Sequence, residues 1–192
     1  MQIDHVLIAT ADLDAAAARL RDEHGLVATG GGRHAGIGTE NRIVPLGGGY
    51  LELIAVVDPA EAVAFPVGAA LAAGITRRGE GLMGWAVAVP DVHAHAARTG
   101  SELSVIERAG LKATLAGAAT AMADPYLPFF IQRDPGVEDP GASGDGGGIT
   151  WIELTGDPDR LAAWLGDHDL PVRIVGGEPA VVAVGIGGGR YP

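Results

Sequence analysis

Acid–base and metal chemistry in this chain rests on six histidines, 24 carboxylates and no cysteine. The missing cysteines exclude disulfides, thiolate metal sites and cysteine nucleophiles together. Serine chemistry is remote as well, because Ser101, Ser104 and Ser143 are the only serines and none sits in a nucleophile elbow. Imidazole and carboxylate remain. His5 lies in the opening apolar run, and Glu52 in the run Tyr50-Leu51-Glu52-Leu53-Ile54. His34 lies in a glycine-rich stretch, 30–39, where the backbone can approach a ligand closely and exposed N–H groups could hold an anion. It is a weak phosphate signature, since no helix start and no lysine stand at the required distance. Two readings of His34 and Asn41 are open: polar groups leaning over a cavity mouth, or an incidental surface loop. His93 and His95 are two apart on a helix and do not face each other. With His24 and His168, they are expected to be solvated. Glu153 is expected to pair with an arginine.

The elements that must position these groups form a repeat. His5 to Ala9 is an apolar β run that leads through Asp12, a plausible N-cap, into a helix over 15–24 stopped by Gly25. The pattern returns at Gly84-Trp85-Ala86 with Asp91 and Gly100, and again at Thr150-Trp151-Ile152 with Asp157 and Gly166. Aligning the three aspartates sets His5 opposite Gly84 and Thr150, and Val6 opposite Trp85 and Trp151. Candidate strands follow each helix: 26–29, 41–46 and 50–57, then 104–107, 112–118 and 129–132, then 172–175 and 181–185. The fold class is therefore α+β: paired βαβββ modules forming a curved mixed sheet with a cavity, helices on its outer face, and a partial third βαββ unit. The divisions are a first module at 1–57, a connection at 58–81 with a short helix at 67–73, and a second module at 82–135. A Gly/Pro-rich linker at 136–148, read as mobile, leads to the partial third module at 149–192. If His5 faces the cavity, alternation turns Val6, and by analogy both tryptophans, toward the helices. Phe130 shares a face with Gln132 and is expected to line the cavity, with Phe129 turned away.

On these segments the chain resembles the glyoxalase-like domain family of the vicinal oxygen chelate superfamily. The resemblance rests on Asp4-His5-Val6, Gly32-Arg33-His34 through Asn41, Tyr50 through Ile54, Gly84-Trp85-Ala86, and Leu127 through Gln132. It implies that the first and last strands of each module are neighbours and carry metal ligands facing the cavity. His5 matches the first-strand position, Glu52 the last-strand position of the first module, and Gln132 that of the second. Strands about 4.8 Å apart let an imidazole and a carboxylate grip one ion, and this ligand set suits Fe, Mn, Ni or Zn. Gly84, opposite His5, has no side chain to offer. The alternative is that His5 and Glu52 hydrogen-bond each other and orient a ligand without metal.

The net charge of −11 argues against nucleic acid and anionic membrane surfaces. No signal peptide and no run of about 18 apolar residues is visible, so a cytoplasmic address is expected. The Ala, Gly, Val and Arg content suggests a GC-rich, bacterial source. Three functions stand open. A metal-assisted lyase, isomerase or dioxygenase would act on a small oxygenated substrate, with Glu52 as ligand or base. A non-catalytic protein would hold a metabolite or antibiotic, as bleomycin-resistance relatives do. A scaffold would bind only partners. A monomer or homodimer is expected in each case.

Overall fold

The computed structural model describes residues 1–108 and 111–191, which leaves Ala109, Gly110 and Pro192 outside the description. The first module runs β1 (Gln2–Ala9), α1 (Leu13–His24), β2 (Thr29–His34), β3 (Thr39–Pro45) and β4 (Tyr50–Val56). Two helices, α2 (Pro59–Ala64) and α3 (Pro66–Arg78), connect it to the second module. That module runs β5 (Gly81–Ala88), α4 (Val92–Thr99), β6 (Leu103–Arg108), β7 (Leu111–Ala116), α5 (Ala118–Ala123) and β8 (Phe129–Arg133). The third unit comprises β9 (Ile149–Thr155), α6 (Pro158–Leu165), β10 (Val172–Val175), β11 (Ala180–Ile186) and β12 (Gly189–Tyr191).

The three aspartates act as the repeat requires. Asp12 accepts from the N–H groups of Asp14 and Ala15, Asp91 from Ala94, and Asp157 from Asp159, each capping its helix. The sheet of the two modules has eight strands in the order β2-β3-β4-β1-β5-β8-β7-β6, so the second half mirrors the first. β1 and β5 meet antiparallel at the centre, with Leu7 opposite Gly84 and His5 opposite Ala86. This reciprocal pairing places Gly84 as the counterpart of His5.

Each face of the sheet has its own cover. On the outer face α1 packs over Leu53 and Ala55, and α4 contributes Val92 and Ala96 to a larger core. The third unit forms a separate four-stranded sheet, β10-β9-β11-β12, and covers that face. Its Ile152, Leu154, Leu161 and Leu165 join Val6, Leu51, Trp85 and Phe130 in one core. Trp164 donates to the Pro128 carbonyl at 2.8 Å, and Tyr126 donates its hydroxyl to the Asp157 carbonyl. On the inner face, Leu71 of α3 with Ala118, Ala121 and Met122 of α5 pack against Leu7, Met83, Ala86, Phe129 and Ile131. The repeat helices α1 and α4 lie on the outer face as expected, and α3 and α5 add a cover on the inner one. These inner helices close the apolar trough and leave only a small cavity.

Other expectations are corrected. The glycines at 30–32 lie in strand β2 rather than a loop: a Cβ on Gly31 would fall 2.2 Å from the Asn41 carbonyl oxygen across the β2–β3 pair. Trp85 is fully buried and donates to the Tyr126 carbonyl at 3.2 Å, as expected of a core residue. Trp151 instead lies on the far face of the four-stranded sheet, where Arg173 stacks over it at 4.1 Å. A separate sheet does not inherit the orientation of the repeat. His95, expected in solvent, stacks on Phe130 with ring centroids 4.5 Å apart. Glu153 pairs with Arg190 at 3.0 Å, in keeping with its expected role.

The 136–148 segment is bonded to the β3–β4 turn. Gly47 N–H donates to the Gly141 and Ser143 carbonyls, each at 3.0 Å, and Gly148 N–H to the Leu46 carbonyl at 2.8 Å. Glycine lies on glycine here: a Cβ on Gly141 would stand 2.5 Å from the Gly49 backbone. Gly141→Val should lower stability by about 1–3 kcal/mol through overpacking. Limited proteolysis should then cleave within 136–148 faster than in the parent chain.

Candidate functional site

A β-bulge builds the site. The β1–β5 register slips between Ile3 and His5, so Asp4 is the extra residue on β1. Consecutive side chains on a regular strand point to opposite faces, but here Asp4 reaches His5. Its Oδ1 lies 2.6 Å from His5 Nδ1. Arg133, on β8, grips the same carboxylate with both terminal nitrogens, at 2.5 and 2.8 Å. Asp4 and His5 are 2% exposed each, so both are out of contact with bulk water.

His5 is fixed on its flanks as well. Tyr50, its partner on β4, stacks on the imidazole with centroids 4.5 Å apart, and Phe129 meets it edge-on at 5.3 Å. Glu52 stands opposite Leu7, and its Oε2 lies 3.3 Å from His5 Nε2. Asn41 Nδ2 donates to Glu52 Oε1 at 2.6 Å, while Asn41 Oδ1 accepts from Gly32 N–H at 3.0 Å. The chain Arg133–Asp4–His5–Glu52–Asn41 thus spans both modules.

Electrostatics follow from this geometry. Burial would raise the Asp4 pKa, but hydrogen bonds from His5 and Arg133 outweigh it and hold the carboxyl well below the ordinary range. Burial likewise opposes the Arg133 charge, and the bonds to Asp4 prevail and raise its pKa. Burial, then the charges of Asp4 and Glu52, push the Tyr50 phenol well above its usual value.

His5, Asn41, Tyr50 and Glu52 form the polar end of a cavity of about 80 Å³, with Asp4 and Arg133 behind His5. That is several times the space one ordered water needs. The remaining wall is apolar, built from Leu7, Ile54, Leu71, Leu115, Met122 and Phe129 among others. His34, its Nδ1 2.8 Å from Thr39 Oγ1, lies with Ile37 and Ile106 on the wall shared with a neighbouring hollow of about 140 Å³. That hollow is also lined by Phe65 and Val105.

His5, Glu52, His34 and Asn41 therefore meet at one cavity, and two proposed residues do not. Gln132 turns to the opposite face, where its Oε1 accepts from Val92 N–H at 2.9 Å at the start of α4. Phe130 lies in the outer core, and Phe129 takes the cavity position instead. The cause is register. Ala86 pairs with Phe129 as Leu7 pairs with Glu52, so Phe129 rather than Gln132 is the counterpart of Glu52. Arg133 shares the face of Phe129, and sequence reasoning missed it. The signal was Asp4, an acid in a buried strand, which demands a buried cation.

The donor set does not fit a bound divalent ion. Two ligands, His5 and Glu52, are adjacent, but no group of three His, Cys, Asp or Glu able to hold a metal occurs among the described residues.

The sequence profile of the glyoxalase-like domain family matches residues 3–168. The chain belongs to that family. Its fold is of the vicinal oxygen chelate type. A hypothetical protein from Staphylococcus aureus superposes with a TM-score of 0.69 at 15% identity, covering 94% of this chain and 88% of that one. A Streptomyces coelicolor methylmalonyl-CoA epimerase variant, in complex with 2-nitronate-propionyl-CoA, superposes with a TM-score of 0.51 at 21% identity. The match covers 71% of this family member and 96% of the epimerase. No protein of curated function matches the chain in sequence. No helix among the described residues is long and apolar enough to cross a membrane.

Asp4→Asn should cost about 3–5 kcal/mol, because it leaves the Arg133 charge buried without its partner. The pH sign follows from the depressed folded-state pKa. The contribution of Asp4 is complete above its unfolded value near 3.8 and is lost as pH falls below that toward the folded value. Urea denaturation from neutral to strongly acidic pH should show this acid-side loss in the parent and not in Asp4→Asn.

Proposed function

We propose that the chain binds a small oxygenated metabolite in the sheet cavity, with an apolar body against the inner core and its polar head at His5 and Glu52. One observation carries this reading: a buried imidazole and carboxylate, 3.3 Å apart, sit at the end of an otherwise apolar hollow. Apolar walls favour an apolar body through dispersion, and polar groups held out of water favour a head that hydrogen-bonds to them. The binding reading needs no metal, since His5 and Glu52 already address the ligand and no third ligand joins them among the described residues.

Acid–base chemistry on the bound molecule is a second reading, favoured by the division of labour at Glu52. Oε1 is held by Asn41, while Oε2 lies beside the His5 Nε2 atom. Oε2 is therefore placed to act as a base on a proton adjacent to a carbonyl.

Screening small hydroxy- and oxo-compounds by thermal shift should find stabilising ligands whose effect persists in excess EDTA. His5→Ala and Glu52→Gln should each weaken a hit about 10- to 100-fold, as loss of a hydrogen bond to a charged group does. Binding that appears only with an added divalent ion would overturn the metal-free reading. Base chemistry is tested separately, by exchange of the α-proton of a bound ketone in D2O. Glu52→Gln should abolish that exchange, and equal exchange rates in parent and variant would refute it.

A further inference from the structure

We infer that Leu71 and Met122 restrict this cavity to short oxygenated compounds of about three or four heavy atoms, an inference that rests on the cavity being the ligand site. The chamber of about 80 Å³ lies far below the roughly 300–1,000 Å³ of ordinary ligand pockets. An engineered apolar cavity of about 150 Å³ takes up benzene, with six carbons, so about half that space holds about half as many atoms.

The second module loses its side of the trough to α5. Gly84, the counterpart of His5, carries no side chain, and a Cβ there would stand 3.5 Å from Met122 Cε. Met122 therefore takes space that a second-module side chain could fill. Leu71 of α3 joins it in the cavity wall, and both residues are buried.

This cover is fastened at several points. Arg78 Nη2 donates to the Met122 carbonyl at 3.0 Å and Arg77 to the Ala123 carbonyl at 3.4 Å, which ties α3 to α5. Two glycines set α3 close against its neighbours. A Cβ on Gly68 would fall 2.5 Å from the Ile37 carbonyl oxygen, and one on Gly74 3.2 Å from that of Met122. A chain too long for the chamber must break these contacts or turn toward the half-buried rim of His34, Ile37 and Ile106. Methylenes at that rim stay partly in water and gain little.

The 1-alkanols from ethanol to 1-heptanol test this limit, because a hydroxyl both donates and accepts and so suits His5 and Glu52 whichever of them carries a proton. Binding is read from the Met122 methyl resonance in protein labelled with 13C-methyl methionine, with the exposed Met1 as reference. Affinity should rise about fourfold per methylene through 1-propanol and gain less than about twofold per methylene beyond 1-butanol. An unbroken rise to 1-heptanol would overturn the inference and leave the cavity reading intact. No saturable Met122 response to any alcohol would overturn both. Leu71→Ala takes three carbons from the wall and should carry the rise about two or three methylenes further. A break that stays in place in the folded variant would also overturn the inference. If that variant does not fold, Leu71→Val should move the break by about one methylene, and an unmoved break there counts equally against it.

Discussion

The ion pair between Asp4 and Arg133 is the contact on which the site depends. It joins the first strand of one module to the last strand of the other, across the central β1–β5 seam. Hydrophobic replacement of such a pair is often as stable, whereas removing one partner alone is costly. Here the pair occupies the bulge that brings Asp4 beside His5. Asp4 then sets the direction of the imidazole, which stands between Tyr50 and Phe129.

The two modules are equivalent in fold and unequal in chemistry. Where the first carries His5 and Glu52, the second carries Gly84 and Phe129 at the matching positions. Polarity is therefore confined to one side of the cavity, and the other side supplies packing. The second module still contributes chemistry indirectly, through Arg133. Helices α3 and α5 complete the arrangement by sealing the trough, which turns an open groove into a small, mostly apolar chamber.

The third unit serves a different purpose. Its sheet lies on the outer face, opposite the cavity, and buries Trp85 and Phe130 beneath Leu161 and Leu165. Without it those residues would face water. The glycine-on-glycine contact of Gly141 with Gly49 fastens the segment leading to it, which is why a composition typical of a flexible linker lies packed here.

The sequence alone determined the repeat, its aspartate caps, its glycine stops and the joint presence of His5 and Glu52 in one module, because these follow from local capping chemistry and alternation. Tertiary structure decided which residue of Phe129-Phe130-Ile131-Gln132-Arg133 faces inward. Alternation defines two faces and says nothing about which one meets the cavity, and a misjudged register exchanges them. The same limit hid the bulge at Asp4, the partner of Arg133 and the outward turn of Trp151. Each depends on how separate strands pair, a relation between distant segments that no local pattern carries.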